Sequence, residues 1–345
     1  MALERKYVPI LKWKKGEKVA LENLTDNQRA TITPLLEIID DEDPSIIIRD
    51  VSNYNFGNAA YIDTRYVDDE DGQLLLGIIN DSENLYPVVY YEDLPHIADK
   101  LYPSTDRFLI RLSIPEDIDG DSYEIMFNKI TEWSTHKKIS IDVMLDLNYL
   151  ENKNKANTIF LELKNVLSNH ILNNDSIKNV IIASTTFPES LSSLNSGDDL
   201  FIERYEMRMF KKILQNPDYN TLIDRLIFSD YGVTRFTDTE IDFSKLKNGI
   251  LPKARYTTTE QYWILKGKKD SRTKELIRSH KTIASEIMGS KYYYGENFSF
   301  GDLEIKERAL GLNKKGPGNN VNWVAIAANH HIAVVAEELS NLYDF

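Results

Sequence analysis

The stretch KYVPILKWKKGEKVAL, residues 6–21, begins with an apolar run and then carries four lysines within its last ten positions. Its apolar part, YVPILK at 7–12, predicts a short buried strand. Lys12, Lys14 and Lys15 follow at once, so the strand ends in positive charge. This order is explained if the end of the strand lies at the mouth of a barrel, where the apolar core meets ligands and solvent.

Seven further apolar runs follow the first, and most are separated by stretches with helical periodicity. The eight strand candidates are YVPILK (7–12), TPLLEII (33–39), AAYIDTR (59–65), YPVVYYE (86–92), RFLIRLS (107–113), ISIDVMLD (139–146), NVIIAST (179–185) and RLIFSDY (225–231). The helical stretches include GEKVALENLTDNQRA (16–30), SYEIMFNKITEWSTHKK (122–138), NKANTIFLELKNVLSNHIL (154–172) and LFIERYEMRMFKKILQ (200–215).

Eight alternating units within about 225 residues match the size of a closed (β/α)8 barrel. An open doubly wound sheet is the alternative. It usually has about six strands and a glycine-rich turn after the first, whereas the turn KWKKGE has one glycine. We therefore predict an α/β fold with a (β/α)8 TIM-like barrel.

After the eighth strand the alternation stops. ARYTTTEQYWILKG (254–267) predicts a strand or hairpin, SRTKELIRSHKTIASEIM (271–288) predicts a helix, and VNWVAIAANHHIAVVAEELSNL (321–342) predicts a long, largely buried helix. We predict a barrel core over 1–232 and a C-terminal elaboration over 233–345. This hairpin plus two helices would pack on the barrel and close it, so that the chain forms one domain.

The composition excludes several function classes. The 345 residues include 54 acidic and 41 basic side chains, a net charge of −13, which argues against extended non-specific binding of nucleic acid. The absence of cysteine removes disulfides, thiolate metal sites and cysteine nucleophiles, and fits a reducing cytoplasm. The apolar run near the N-terminus is too short for a signal peptide, and no run is long enough to span a membrane. We predict a cytoplasmic protein without membrane contact.

Polar side chains end nearly every predicted strand, and the carboxyl ends of barrel strands converge where ligands bind. These side chains are Lys12, Lys14, Glu37, Asp63, Arg65, Glu92, Arg111, Asp146, Ser184, Thr185 and Asp230. The candidate catalytic set is Lys12, Glu37, Asp63, Arg111, Asp146 and Asp230. Arg65 and Thr185 are candidate substrate-binding residues.

The mixture of charges leaves several chemistries open. Glu37 and Asp146 would hold Mg²⁺ or Mn²⁺ through oxygen ligands and support phosphoester chemistry, with nearby cations binding the anion. A carboxylate pair would instead serve as general acid and base, as in glycoside hydrolysis. A desolvated Lys12 would form a Schiff base. In a purely structural arrangement, Glu37 would form an ion pair with Arg111.

The two adjacent histidines in NHHIAV give little support for a metal site. Successive helix residues point about 100° apart, so His330 and His331 are poorly placed to bind one metal together. We expect one of them to face the core or the barrel mouth. The sequence has no H-E-x-x-H, G-x-S-x-G or Walker A motif.

Several segments, taken in order, resemble the Beta-protein family of bacteria and their phages. They are YVPILKWKKGEKVAL, ITPLLEI, ASTTFPESL, ERYE, SDYG, ARYTTTEQYWILKG and NWVAIAANHHIAVVAEEL. The resemblance draws attention to Lys12, Glu37, Thr186, Phe187, Pro188, Arg204, Glu206, Asp230, Tyr231, Tyr256, Trp263, Lys266, Trp323 and His331. Of these, Thr186, Arg204, Tyr231, Lys266 and His331 join the substrate-binding candidates. The resemblance implies a cytoplasmic role in antiphage defence or phage–host conflict, alongside a protein partner.

Two functions therefore stand beside each other. In the first, the barrel mouth binds a phosphate-bearing small molecule or a nucleic-acid end and carries out metal-assisted phosphoester chemistry. In the second, the barrel is catalytically silent and recognises a protein partner through the aromatic stretch KYYYGENFSF, residues 291–300. Tyr292 and Tyr293 are the candidate contacts, because clustered tyrosines suit protein interfaces.

Overall fold

The computed structural model describes residues 7–39, 42–80, 82–91, 107–115, 120–137, 139–234 and 251–343. Glu92, one of the predicted strand-end carboxylates, lies outside the described residues. The chain divides into two compact units. The first comprises Met1–Lys14, Ala30–Thr186 and Tyr205–Tyr231, and the second comprises Lys15–Arg29, Phe187–Arg204 and Gly232–Phe345. The prediction that the C-terminal region closes the barrel as part of one domain stays a prediction.

The first unit contains a closed barrel of eight parallel strands, which confirms the predicted (β/α)8 TIM-like fold. The first seven barrel strands are β1 Tyr7–Lys12, β2 Leu35–Glu37, β3 Ala60–Asp63, β4 Leu85–Tyr90, β5 Arg107–Ser113, β6 Ser140–Tyr149 and β7 Ile177–Thr185. Strand β8, Asp199–Glu203, belongs to the second unit. The next strand, β9 at Leu226–Asp230, closes the barrel between β7 and β1. All eight predicted apolar runs are barrel strands.

The helices follow the predicted periodicity in most places. They are α1 Lys15–Glu22, α2 Asp26–Thr31, α3 Pro44–Tyr54, α4 Asp69–Asn80, α5 Gly120–Lys137, α6 Lys153–Val166, α7 Tyr205–Leu214, α8 His280–Met288, α9 Phe300–Leu310 and α10 Asn320–Leu342. Side-chain caps fix several starts. The Asp43 carboxylate accepts from the Ser45 amide ahead of α3, and Asn152 accepts from two amides at the start of α6.

The strand register places predicted site residues at one edge of the barrel. Lys12 pairs with Glu37, and Glu37 pairs with Asp63, so the carboxyl ends of β1, β2 and β3 lie level. Side chains at alternate strand positions point to the same side of a sheet. Buried polar residues two or four positions apart therefore form layers within the barrel interior.

The second unit has its own antiparallel sheet, in the order β10-β11-β8, with β10 at Lys253–Thr257 and β11 at Gln261–Lys266. This confirms the predicted hairpin. Helices α8, α9 and α10 pack with the sheet around a core that includes Tyr256, Trp263 and Ile283. Helix α9 lies where the sequence analysis assigns no helix. It approaches α10 closely at Gly301, where an added Cβ would lie 2.4 Å from the Ile326 carbonyl oxygen.

Two predicted helices are partly wrong. The stretch 200–215 begins as strand β8, because Phe201 pairs with Trp263 in the antiparallel sheet, and only Tyr205–Leu214 is helical. The stretch 271–288 begins as a hairpin between β12, Lys268–Lys269, and β13, Leu276–Arg278. Ser279 then caps α8 through the Thr282 amide, so that helix starts only at His280.

Among the described residues, no helix combines the length and the apolar character that a membrane crossing requires.

Candidate functional site

The guanidinium of Arg111, on β5, is the centre of the barrel mouth and is only 5% exposed. Its Nη1 donates to Glu37 Oε1 at 3.0 Å and to Asp63 Oδ2 at 2.8 Å. Its Nε and Nη2 lie 2.9 Å and 2.8 Å from Asp146 Oδ2. Because β5 and β2 are not neighbouring strands, the bond to Glu37 crosses the barrel interior. Three predicted carboxylates therefore converge on one predicted arginine.

Two tyrosines complete the cluster, one from each side of the barrel. Tyr90, at the end of β4, donates its hydroxyl to Asp63 Oδ2 at 2.6 Å. Tyr231, directly after β9, donates to Asp146 Oδ2 at 2.5 Å and accepts from Arg111 Nη2 at 2.7 Å. Tyr231 is a predicted residue, whereas the sequence analysis does not single out Tyr90. Its position at a strand end next to the predicted carboxylates is the signal that would have identified it.

The three carboxyl groups differ in how many of their oxygens are used. Asp63 Oδ1 accepts from the Arg65 amide, and Asp146 Oδ1 accepts from the Asn148 amide, so both oxygens of each aspartate have donors. Glu37 accepts only from Arg111, through Oε1. Within the part of the chain that the structure describes, Glu37 Oε2 has no hydrogen-bond donor. Among the described residues, Glu37 is therefore the carboxyl of the cluster that has an oxygen without a donor.

The electrostatics of the cluster raise the proton affinity of Glu37. Burial raises the pKa of its carboxyl, and the Asp63 carboxylate adds to this, while the charges of Arg111 and Lys12 act in the opposite direction without reversing it. Burial also opposes the charge of Arg111, but Tyr231 and Asp146 hold the pKa of its guanidinium above the usual value. Arg111 is thus a fixed cation, and Glu37 is the group with altered proton affinity.

Lys12 and Arg65 add positive charge near the cluster. Lys12 ends β1 in register with Glu37, and its charge acts on that carboxyl. The Arg65 guanidinium lies 3.5 Å from the centre of the Tyr90 ring, a cation–π contact. Burial raises the pKa of Tyr90, so its hydroxyl remains a donor at neutral pH. The mouth therefore combines cations, hydroxyls and one carboxyl oxygen that has no donor among the described residues.

A second buried polar layer lies four residues back along β5 and β6. Arg107 Nε donates to Asp142 Oδ2 at 2.6 Å, and the Tyr61 hydroxyl donates to the same oxygen at 2.8 Å. Asn179 donates to Asp142 Oδ1 at 2.6 Å. One cation meets one carboxylate whose two oxygens are both used. This lower layer is balanced in charge, in contrast to the three carboxyls around Arg111.

The predicted Mg²⁺ or Mn²⁺ ligands, Glu37 and Asp146, do not fit a metal ion in this arrangement. Arg111 Nη1 sits between Glu37 and Asp63, and Nη2 bonds Asp146, so a guanidinium holds the place that a cation would need. Within the described ranges, no group of three or more histidine, aspartate or glutamate side chains is arranged to hold a metal.

Other predicted residues of the first unit have contacts away from Arg111. The Tyr7 hydroxyl donates to Asp230 Oδ1 at 2.8 Å, which links β1 to β9. Thr185 is buried at the end of β7, and its carbonyl accepts from the Leu150 amide. Thr186 donates to Glu206 Oε2 at 2.6 Å. The assignments of Asp230 as catalytic and of the two threonines as substrate-binding stay predictions.

Three substrate-binding candidates belong to the second unit. The buried Arg204 Nη1 donates to Glu338 Oε2 at 2.7 Å and to the Thr258 carbonyl at 2.9 Å. Lys266 Nζ donates to the carbonyl of Leu194. The assignments of Arg204 and Lys266 to a ligand stay predictions.

Both histidines of the pair on α10 are buried in the second unit. His331, the third substrate-binding candidate there, places Nδ1 3.0 Å from Thr257 Oγ1. His330 lies between Asp302 Oδ2 and the Thr257 carbonyl oxygen, each 2.8 Å from a ring nitrogen. Both ring nitrogens of His330 therefore have partners inside the unit, and the role of His331 stays a prediction.

The tyrosines predicted to contact a partner protein are half-buried in the second unit. The Tyr292 ring lies 5.6 Å from the rings of Phe201 and Trp263, and the Tyr293 hydroxyl donates to the Asp302 carbonyl at 2.9 Å. Their packing accounts for the aromatic residues at these positions, and their role as partner contacts stays a prediction.

The raised pKa of Glu37 predicts how stability depends on pH. The folded protein holds the Glu37 proton more tightly than the unfolded chain, where the ordinary value is 4.5. Above that pH the folded state binds more protons than the unfolded chain. The stabilisation that the Glu37 proton contributes is lost as the pH rises through the folded-state pKa. We expect the free energy of unfolding of wild type to fall, relative to that of Glu37→Gln, as the pH rises above the ordinary carboxyl pKa of 4.5.

Urea denaturation of both proteins across this pH range measures the difference. Glu83→Gln, which removes an exposed carboxylate, is the matched control and should follow wild type at every pH. A difference between wild type and Glu37→Gln that does not change with pH would contradict the assignment of the shifted carboxyl.

Comparison with known proteins agrees with the resemblance seen in the sequence. The family model described as Beta protein matches residues 7–337, nearly the whole chain. The match includes every barrel strand and continues into α10. A search of curated proteins gives no significant match. The chain belongs to the Beta protein family.

Proposed function

We propose that the barrel mouth binds a small polar molecule and that Glu37 exchanges a proton with it. The observation that carries this proposal is the Glu37 Oε2 atom, which has no donor among the described residues, on the carboxyl whose pKa is raised. A general acid or base needs an altered proton affinity and an atom within reach of the ligand. Asp63 and Asp146 fix Arg111, and Arg111 in turn orients Glu37.

The desolvation cost of the cluster supports a functional role. Buried ion pairs are often no more stabilising than apolar side chains of the same volume, so they are weak evidence for a purely structural purpose. Groups whose pKa is shifted concentrate at functional sites. Barrel enzymes place those sites at the carboxyl ends of their strands. Glu37 meets both conditions, since its pKa is raised and it lies at the carboxyl end of β2. The balanced pair of Arg107 and Asp142 lies deeper along β5 and β6.

The charges at the mouth favour a ligand with hydroxyl groups and one phosphate. The carboxyls accept from hydroxyls, and Lys12 and Arg65 supply positive charge for a phosphate. A polyphosphate would face three carboxyls around a guanidinium that they already engage. A sugar phosphate or a nucleoside monophosphate combines several hydroxyl groups with one phosphate, as this mouth requires. Metal-assisted phosphoester chemistry does not fit this arrangement, because the Arg111 guanidinium occupies the position that the metal would need.

A binding experiment tests this proposal with defined probes. Sugar phosphates, nucleoside monophosphates and their dephosphorylated forms are added to purified protein, and the melting temperature is recorded. A probe at a hundred times its dissociation constant adds about 2.7 kcal/mol, which for a chain of this size raises the melting temperature by roughly 2 °C. We expect this shift for a phosphorylated probe and a smaller one for its dephosphorylated form.

Two variants determine whether the probe binds at the mouth. Glu37→Gln should reduce the shift, and calorimetric titration should show that it removes the pH dependence of affinity. Tyr61→Phe changes the lower layer and should retain the wild-type shift. No shift with any probe, or an equal shift and pH dependence in Glu37→Gln, would refute the proposed site.

We propose in addition that this activity serves antiphage defence. The resemblance of the chain to a family of bacteria and their phages supports this role. Plaque counts on a phage-sensitive host should fall when wild type is expressed and recover with Glu37→Gln, while Glu83→Gln should protect like wild type. Equal protection by Glu37→Gln and wild type would show that protection does not depend on the barrel mouth, and would contradict this proposal.

A further inference from the structure

The second unit carries a strongly basic segment in an acidic protein. Residues 266–281 contain seven lysines and arginines against two acidic residues, although the net charge of the whole chain is −13. The segment includes the hairpin formed by β12 and β13, in which Lys268 pairs with Arg278 and Lys269 pairs with Leu276. Positive charge is therefore concentrated on this two-stranded ribbon, its turn and the residues that flank it.

The base of the hairpin is fixed by two of its cations. Arg278 Nη2 donates to Asp199 Oδ1 at 2.6 Å and to Glu286 Oε2 at 2.5 Å, and its Nη1 donates to the Gly197 carbonyl at 2.9 Å. Lys266 Nζ donates to a carbonyl of the same unit. The charges of Arg278 and Lys266 are used inside the protein, so they are not part of an exposed surface.

The turn of the hairpin is also fixed, and it uses one of the two acidic residues. Asp270 Oδ1 accepts from the amides of Arg272 and Thr273, both at 2.8 Å, and the Asp270 carbonyl accepts from the Lys274 amide at 3.1 Å. Lys274 has a φ of +62°, a turn conformation that holds the backbone in one arrangement. The tip therefore presents its side chains from an ordered backbone.

Four cations of the segment remain exposed: Lys268, Arg272, Lys274 and Lys281. None of the four forms an ion pair with a carboxylate of the described residues. Leu276 and Ile277 are also exposed, but successive strand residues point to opposite faces, so they do not form one apolar patch. Positive charge is thus the property that this surface offers to a partner.

We propose that the hairpin of β12 and β13, together with Lys281 in the first turn of α8, binds the phosphate backbone of a nucleic-acid duplex. A two-stranded ribbon is a shape that the grooves of duplex DNA accept, and lysine and arginine side chains bind backbone phosphates. The contact is local, because the remainder of the chain is acidic and repels phosphates. It involves about four phosphates, and sequence is not read. This site is independent of the barrel mouth.

The salt dependence of binding provides the test. With about four phosphate contacts, the logarithm of the association constant should fall with the logarithm of salt concentration with a slope of roughly −3 to −4. Between about 50 mM and about 200 mM salt, affinity for a fluorescent DNA duplex should drop by roughly a hundredfold. Fluorescence anisotropy with the full chain measures both quantities.

Matched variants locate the contact on the hairpin. Arg272→Gln combined with Lys274→Asn removes two cations, and asparagine tolerates the positive φ at position 274. We expect this variant to bind the duplex more than tenfold more weakly at low salt and to halve the salt slope. Lys153→Gln combined with Lys155→Gln makes the same change in net charge on α6 and should bind like wild type.

Other polyanions serve as alternatives in the same assay. Phosphatidylserine vesicles test an anionic membrane, and polyglutamate tests an acidic protein segment. Tighter binding of either than of the duplex would overturn the proposal, as would the absence of duplex binding at low salt. An equal loss of affinity in the hairpin and α6 variants would also overturn it. Circular dichroism and melting temperature confirm that both variants are folded.

Discussion

The ion-pair cluster of Arg111 is the constraint on which the barrel mouth depends. One guanidinium, 5% exposed, binds carboxyls from β2, β3 and β6 and a tyrosine that follows β9. Removing this cation would leave three buried carboxyls without compensation, which costs far more than an exposed ion pair. The level strand ends of β2 and β3 bring Glu37 and Asp63 to the same nitrogen, Nη1, while Asp146 contacts Nε and Nη2.

The two polar layers of the barrel show why the upper one is the functional candidate. In the lower layer, Asp142 accepts from Arg107, Tyr61 and Asn179, so the charge is balanced and the donors and acceptors match. In the upper layer the carboxyls exceed the cations that bind them directly, and Glu37 keeps one oxygen without a described donor. The same type of pair, repeated four residues apart on β5 and β6, thus occurs once with balanced charge and once with an excess of carboxyls.

The sequence predicts the barrel and its polar strand ends because both depend on local pattern. Apolar runs of strand length locate all eight barrel strands, and Glu37, Asp63, Arg111 and Asp146 are identifiable at strand ends. The sequence does not show which of these side chains bind one another, because carboxylates at these positions fit both a metal cluster and an ion pair with Arg111. The contacts of Tyr90, and the Glu37 oxygen that has no donor among the described residues, depend on side-chain geometry across the barrel. The pattern of residues 200–215 predicts a helix throughout, but Asp199–Glu203 is a strand because it pairs with Gln261–Lys266, which is distant in sequence.

The central claim, that Arg111 holds the mouth together by compensating its carboxyls, is tested most directly by rescue of stability. Arg111→Met should lower the free energy of unfolding at neutral pH by about 3–5 kcal/mol. Adding Glu37→Gln and Asp63→Asn to Arg111→Met removes two of the uncompensated charges and should recover at least about half of that loss. Urea denaturation of wild type, the single variant and the triple variant measures both changes. A triple variant less stable than Arg111→Met alone would show that the carboxyls do not depend on the guanidinium, and would contradict the account.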